Sequence, residues 1–306
     1  MFLTIFTAPK PFTNAHIARI QRNAIQSWKA LGADVEVILI GDEEGVAEAA
    51  RELDVQHLPE VVRNSYGTPL IRSIFHLARR EGSGEVLVYI NADILLLPGF
   101  VESLRVVSRQ YEKFLVVGQR YDLDVQEDIE FTPGWETEIR AAVTERGKRH
   151  TANGSDYFAF PRACFSKLPD MAVGRAGWDN WRMYEARRHN WTLGGASRES
   201  YTLHQNHDYA HLPGGQPHYR LPETDENVRL GGGKLTIFRL ADALVRLEDG
   251  QIKPVAHTWQ RFWREVEIFP LIKLHSMALG WAAFALFHPK KAYSELRKQS
   301  KGLTPA

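Results

Sequence analysis

The chain of 306 residues has a single cysteine, Cys164, which excludes an intrachain disulfide and a cysteine-rich metal site. Its 38 basic and 37 acidic side chains nearly cancel, so charge does not favour nucleic acid as a partner. The first residues, Met1 to Phe6, lack the basic segment and the small-residue cleavage site of a signal peptide. We therefore expect a cytoplasmic protein that does not bind nucleic acid.

Long hydrophobic runs are also scarce. Ser276 to Phe287 carries no charge, but at about a dozen residues it is shorter than the ~20 that span a bilayer. Aromatic residues precede this run and basic residues flank it: Trp259, Phe262, Trp263, Lys273, His275, Lys290, Lys291, Arg297, Lys298. The sequence leaves three contacts open for 259–298: the inner membrane surface, the catalytic domain, or a second subunit of a homo-oligomer.

The composition, with 44% hydrophobic and 25% charged residues, is typical of an ordinary globular protein and excludes global disorder. The glycine run Gly231 to Gly233 marks a change of character, so we predict a domain at 1–233 and an appendage at 234–306. The apolar spacing of Leu235 to Leu247 predicts a helix at the start of this appendage.

Apolar periodicity predicts that strands and helices alternate through the first domain. The predicted strands are 2–6, 35–40, 55–58 at an edge, and 86–90, and the predicted helices are 16–31, 45–53 and 68–80. This order indicates an α/β fold with a parallel sheet and right-handed crossovers. Ligands of such sheets bind beyond the carboxyl ends of the strands, so loops 7–10, 41–42 and 91–93 are expected to converge.

The run Val86 to Phe100 is the most informative segment of the chain. It is continuously apolar except for Asn91-Ala92-Asp93 and the closing Pro98-Gly99, a pattern typical of a strand buried on both faces. A carboxylate leaving such a strand is costly unless its charge is offset, most commonly by a metal ion. Asp93 is therefore a candidate metal or phosphate-site residue, and a turn aspartate is the alternative.

Six segments in order resemble the GT-A fold of nucleotide-sugar glycosyltransferases, in particular the family 2-like branch. They are a first strand with its nucleotide loop, a second strand ending in Asp, an Asp-x-Asp-like motif, a Gly-to-Arg strand, an acid-led helix, and a strand ending in His: 2–9, 37–42, 91–93, 154–162, 178–187 and 201–204. The resemblance covers roughly residues 1–210 and implies a mixed sheet flanked by helices, followed here by the C-terminal helical appendage.

Two positions depart from the family pattern. Asn91 replaces the first acid of Asp-x-Asp, and Trp178 replaces the Glu before Asp179. The family's second acid is the direct metal ligand, so the resemblance keeps that role for Asp93. Asp179 likewise remains as the carboxylate that would act as general base.

The resemblance implies a metal-dependent transfer of a sugar from a nucleotide-diphosphate donor to a glycan, lipid-linked or other hydroxyl acceptor, with Mn²⁺ or Mg²⁺. One carboxylate and one imidazole suit such a cation, which identifies Asp93 with His204, or His207 if the register differs. Asp179 is the preferred base, which implies inversion, and Asp156 is the reserve. The donor-site candidates are Thr7, Ala8, Pro9, Lys10, Asp42, Arg72 and Asn91, and the acceptor-site candidates are Tyr157, Trp178 and Trp181.

Two other functions compete with this interpretation. A sugar nucleotidylyltransferase would share the early sheet, but it would have a glycine-rich, basic loop after the first strand, which Thr7 to Pro11 is not. A non-catalytic glycan-binding protein would explain the many aromatic residues but not a buried strand that ends in Asn-x-Asp.

Overall fold

Strands and helices alternate through the first half of the chain, as predicted. The computed structural model describes residues 1–150, 155–196, 202–206, 221–248 and 250–300, without the side chains of 298–300. The first half contains β1 (Leu3–Thr7), α1 (Ala15–Lys29), β2 (Val35–Ile40), α2 (Val46–Glu52), β3 (Gln56–Leu58), α3 (Ile71–Glu81), β4 (Val86–Ile90), β5 (Ile94–Leu96), α4 (Phe100–Gln110), β6 (Phe114–Val117) and β7 (Arg120–Leu123). The second half contains α5 (Trp135–Arg146), β8 (Lys148–Arg149), β9 (Tyr157–Pro161), α6 (Trp178–Arg188), β10 (Thr192–Gly195), β11 (Thr202–Gln205), α7 (Pro222–Leu230), β12 (Val245–Glu248), β13 (Gln251–Pro254), α8 (Trp259–Ile272), α9 (Met277–Phe287) and α10 (Pro289–Ser300).

The main sheet is mixed. Within the described residues its nine strands follow the order β13-β12-β10-β6-β9-β4-β1-β2-β3. β1 pairs in parallel with β2 and β4, and β2 pairs in parallel with the edge strand β3. β9 lies antiparallel between β4 and β6. The parallel half agrees with the sequence prediction, and β1, β2 and β4 all direct their carboxyl ends to the same edge.

A smaller sheet joins the turn after β4 to distant parts of the chain. In the described residues its order is β5-β11-β7-β8. β5 follows Asp93 directly and pairs antiparallel with β11, so that Ile94 lies opposite His204. β11 also pairs in parallel with β7, which places His204 opposite Asp122. Backbone pairing thus brings Asp93, Asp122 and His204, which are far apart in sequence, close to one another.

Helix α1 is held in place by a side-chain cap and by a contact with β5. Asn14 caps α1, because its side-chain oxygen accepts hydrogen bonds from the amides of His16 and Ile17, both at 3.0 Å. The buried indole of Trp28 on the same helix donates to the carbonyl of Ile94 at 2.8 Å. This bond ties α1 to the start of β5, immediately after the Asp93 turn.

The C-terminal region differs from its prediction. Residues 235–247 are not a helix: two short 3₁₀ turns lead into β12, which pairs in parallel with β10 in the main sheet. Three helices, α8 to α10, follow as expected of a helical appendage. The boundary at 233/234 stays a prediction, and β12 and β13 beyond it extend the main sheet. Across the described ranges, each helix is too short or too polar to cross a bilayer.

Arg182 on α6 is fully buried among aromatic rings. Its guanidinium carbon lies 3.8 Å from the ring centre of Phe75 and within 5.5 Å of four more rings, those of Phe158, Phe160, Phe165 and Trp178. Among the described residues, none of its three side-chain nitrogens has a hydrogen-bond partner. Burial lowers the pKa of Arg182 well below its ordinary value. Cation–π contact is therefore the main compensation for desolvating this charge.

This environment predicts how substitutions of Arg182 rank in stability. Arg182→Met keeps an unbranched apolar side chain without a charge, so we expect it to unfold at the wild-type temperature or above. Arg182→Lys replaces the flat guanidinium by a strongly hydrated ammonium that cannot stack, and should cost about 2 kcal/mol. Thermal and denaturant unfolding of both variants measure the order. A lysine variant as stable as the wild type would show that the flat guanidinium is not required and would contradict the stacking of Arg182 on these rings.

Candidate functional site

A cavity of about 580 Å³ opens where β1 and β4 end. The predicted site residues that line it are Ala8, Pro9, Lys10, Asn91, Asp93, Asp156, Trp178, Asp179 and His204. Two of the three loops expected to converge, those after β1 and β4, contribute to it directly. The third loop reaches the cavity through Glu43 rather than through Asp42.

Asp93 is the centre of a compact group of charged side chains. The residue is 8% exposed, and its Oδ2 lies 3.6 Å from Lys10 Nζ and 4.0 Å from His204 Nε2. The antiparallel pairing of β5 with β11 produces the second contact, and the loop after β1 produces the first. The predicted proximity of Asp93 and His204 is therefore present.

The other nitrogen of His204 faces a residue that the sequence analysis did not identify. His204 Nδ1 lies 3.2 Å from Asp122 Oδ1, and Asp122 Oδ2 lies 3.0 Å from His150 Nδ1. Asp122 also accepts a 2.9 Å hydrogen bond from Arg120 Nε. The Asp122 carboxylate therefore acts on His204 through its charge at ion-pair distance, and it accepts side-chain hydrogen bonds from His150 and Arg120.

Asp156 belongs to the same network. Its Oδ1 accepts hydrogen bonds from Arg120 Nη1 at 2.5 Å and from Asn91 Nδ2 at 3.3 Å, and its carbonyl accepts the Asn91 amide. Burial raises the pKa of the Asp156 carboxyl above its ordinary value. Burial would lower the pKa of Arg120, but the carboxylates of Asp156 and Asp122 raise it. The reserve base thus orients Asn91 and is itself held by Arg120.

Asp93 and His204 are a donor set that fits a divalent cation. Carboxylate oxygen is a ligand of both Mn²⁺ and Mg²⁺, and imidazole nitrogen suits the borderline Mn²⁺ better than the hard Mg²⁺. No cluster of three or more His, Cys, Asp or Glu able to hold an ion is found among the described residues. Further ligands would then have to come from water or from a bound molecule.

Asp179 lies in the first turn of α6, next to the cavity. The helix begins after Gly177, whose φ of 107° is left-handed and whose missing Cβ would lie 3.1 Å from Val228 Cγ2. The Gly177 amide donates to Asp179 Oδ1 at 3.2 Å. Trp178 is among the residues that line the same cavity, but it is only 6% exposed and packs edge-on against Tyr89, with ring centres 5.2 Å apart.

Five predicted site residues lie outside the cavity lining. Tyr157 is fully buried and packs on Phe100, and Trp181 is 8% exposed in the core, so neither is retained for acceptor binding. Thr7 is fully buried. Asp42 is paired with Arg63, and the exposed Arg72 is paired with Asp170. His207, the alternative metal ligand, lies outside the described residues.

Two further charged residues at the cavity were not identified from the sequence. Glu43 lines it, and its buried Oε2 has no hydrogen-bond partner in the described part of the chain. Arg175 also lines it and donates to Glu223 Oε2 at 2.7 Å. Glu43 directly follows the predicted Asp42 in the loop after β2, so that strand end was the available signal. No comparable signal in the sequence marks Arg175 as a cavity residue.

Comparison with solved structures agrees with this architecture. S. aureus TarS 1–349 in complex with UDP-GlcNAc superposes with a TM-score of 0.50 at 12% identity, over 94% of this chain and 80% of that one. The chain has the GT-A fold. TarS 1–349 without the sugar nucleotide matches at a TM-score of 0.44 and 11% identity, over 67% of this chain and 60% of that one. The mannosyltransferase PcManGT from Pyrobaculum calidifontis, in complex with GDP-Man and Mn²⁺, matches at a TM-score of 0.43 and 13% identity, over 68% and 58%.

In comparisons of sequence, no protein-family model and no curated protein matches the chain. At 12% identity the likeness to TarS supports the GT-A fold alone. The chemistry of this GT-A domain is therefore argued from the side chains of its cavity.

Proposed function

We propose that the chain is a glycosyltransferase that moves a sugar from a nucleotide-diphosphate donor to a hydroxyl of a glycan, lipid-linked or other acceptor. The observation that carries this proposal is a single cavity lined by a cationic side chain, a metal-compatible pair and a second carboxylate: Lys10, Asp93 with His204, and Asp179. TarS, which shares the fold, was solved in complex with UDP-GlcNAc, which supports a nucleotide-sugar donor.

The donor diphosphate is assigned to the Asp93 end of the cavity. Asp93 and His204 would hold Mn²⁺ or Mg²⁺, which supplies Lewis-acid stabilisation of the departing diphosphate. Lys10, 3.6 Å from Asp93, adds a positive charge within reach of the same phosphates. Asn91, oriented by Asp156, is placed to hydrogen-bond sugar or ribose hydroxyls.

The acceptor is assigned to the start of α6. Asp179 would take the proton of the attacking hydroxyl, and Trp178, which lines the cavity although it is only 6% exposed, would border the acceptor. A carboxylate base in a single displacement implies inversion at the anomeric carbon. The competing role for Asp179 is structural, since an anion in the first turn stabilises the helix by itself.

A thermal-shift screen of nucleotide sugars with and without Mn²⁺ tests the donor proposal. A ligand at a hundred times its Kd stabilises the native state by about 2.7 kcal/mol, which for a chain of this size raises Tm by about 4 °C. We expect a UDP- or GDP-sugar to produce this shift only with the metal. A matched nucleoside monophosphate should give a smaller shift, because it lacks the bridging diphosphate.

The screen can also refute the proposal. If no nucleotide sugar stabilises the protein with Mn²⁺ or Mg²⁺, the donor assignment is wrong. Stabilisation by a nucleoside triphosphate and a sugar 1-phosphate, with pyrophosphate release, would instead indicate a nucleotidylyltransferase. A donor that binds is then offered with hydroxyl acceptors, and the anomeric configuration of the product reports inversion or retention.

A further inference from the structure

Helix α8 exposes a broad stripe of large apolar side chains. Trp259, Phe262, Trp263, Val266 and Phe269 are 72%, 51%, 41%, 40% and 49% exposed. Their spacing places them on one face of the helix. The opposite face is already occupied, since Ile268, Leu271 and Ile272 are buried against the body of the protein. The exposed stripe is therefore a second apolar face.

Helix α9 continues this surface. The rings of Trp263 and Phe287 lie 5.9 Å apart, so the two helices lie side by side. Leu279 and Leu286 on α9 are 51% and 79% exposed, and α9 carries no charged residue. Exposed apolar residues also occur in the connection and on α10. We use the name C-terminal apolar surface for these exposed residues together: Trp259, Phe262, Trp263, Val266, Phe269, Leu274, Met277, Leu279, Leu286, Tyr293 and Leu296.

The acidic and the basic residues of these helices differ in exposure. All three acidic residues of 259–297 contact basic groups: Glu265 is 2.7 Å from Arg187, Glu267 is 3.1 Å from Arg264, and Glu295 contacts Lys234. Glu265 and Glu295 are partly buried, and Glu267 is buried. In contrast, four basic residues of the same helices and their connection are exposed: Lys273, Lys290, Lys291 and Arg297. The region presents apolar and positively charged groups to solvent, with its negative charges held against neighbouring basic groups.

We propose that the C-terminal apolar surface docks onto a membrane that contains anionic phospholipids, with α8 and α9 lying in the plane of the headgroups. Large aromatic and aliphatic side chains would enter the interface, and the exposed lysines would contact phosphates. Helix α9 has 11 residues and is roughly 17 Å long, whereas the hydrocarbon core is about 30 Å thick. Lying in the interface therefore fits, and spanning does not.

A second copy of the chain fits this surface less well than an anionic membrane. In a symmetric dimer each surface meets itself, so the exposed lysines around one copy would face those of the other. An anionic bilayer is instead complementary to them. The inference is independent of the proposed transferase activity, because it rests on a different part of the molecule.

Sedimentation of the full chain with vesicles tests the proposal. We expect binding to vesicles of equal parts phosphatidylcholine and phosphatidylglycerol, weak binding to phosphatidylcholine alone, and loss of binding at high salt. Trp259→Ser with Phe262→Ser removes two exposed rings and should weaken binding at least tenfold. Lys290→Glu with Lys291→Glu should weaken binding to anionic vesicles by at least tenfold as well.

The controls change an exposed aromatic ring and an exposed basic side chain elsewhere on the surface. Tyr66→Ser removes a 67% exposed ring, and Arg109→Glu reverses a largely exposed charge on α4. Both should bind vesicles as the wild type does, and all variants should keep the wild-type melting temperature. The proposal is overturned if the wild type does not bind anionic vesicles, or if the double variants bind equally well. It is also overturned if the wild type is a dimer that Trp259→Ser with Phe262→Ser dissociates.

Discussion

Asp179→Asn is expected to lower turnover by about 10²-fold or more while donor affinity stays near the wild-type value. Asparagine preserves the shape of the side chain and can still accept the Gly177 amide hydrogen bond, now 3.2 Å long. It cannot take a proton from the acceptor hydroxyl. Steady-state kinetics and donor-binding calorimetry on the same variant separate loss of the base from loss of binding.

A purely structural role for Asp179 predicts a different result. If the residue only stabilises the helix, its replacement should cost ~1 kcal/mol of stability and leave turnover unchanged. Asp225→Asn is the matched control, since Asp225 is an exposed acid in the first turn of α7, outside the cavity. Full activity of Asp179→Asn together with a lowered melting temperature would remove the base assignment and, with it, the reason to expect inversion.

The first half of the fold was predictable because its strands are short, apolar and separated by periodic helices. β1 and β4 are buried along their whole length, as their continuous apolar runs predict. The helix predicted at 235–247 was wrong because helical spacing of apolar residues can be overridden by sheet pairing. There β12 adds to β10, and the preceding residues form only short 3₁₀ turns.

The candidate site was predictable where a buried strand ends in a polar residue. Asp93 lies in the turn after β4 and His204 lies next to the last residue of β11, and Asp93 Oδ2 and His204 Nε2 are 4.0 Å apart. The contribution of Arg120 and Asp122 was not predictable, because β7 is a short, partly buried strand that is positioned by pairing with the distant β11 and with β8. Tyr157 was misassigned because neighbours on a strand point to opposite faces: Asp156 lines the cavity and Tyr157 enters the core.

Asp93→Ala is expected to keep the fold and to abolish the metal-dependent part of donor binding. The substitution removes the carboxylate that, with His204, forms the metal-compatible pair. It also removes the negative charge 3.6 Å from Lys10 Nζ, which leaves the lysine more available to the donor phosphates. The affinity for the donor in EDTA should therefore be unchanged or slightly higher than that of the wild type. Calorimetric titration of the donor, with Mn²⁺ and with EDTA, should therefore give equal affinities for this variant and unequal ones for the wild type.

Two further substitutions show whether the effect belongs to the metal. Asp122→Asn leaves Asp93 and His204 in place but removes the negative charge 3.2 Å from His204 Nδ1, and should reduce Mn²⁺ affinity about 10- to 100-fold. Asp170→Ala removes an exposed carboxylate that pairs with Arg72, and should change nothing. Because Asp93 would bind the metal directly and Asp122 would act only through His204, the loss of Mn²⁺-dependent binding should decrease in the order Asp93→Ala, Asp122→Asn, Asp170→Ala. Unchanged Mn²⁺-dependent donor binding in Asp93→Ala would instead make Asp93 a turn residue and place the metal elsewhere.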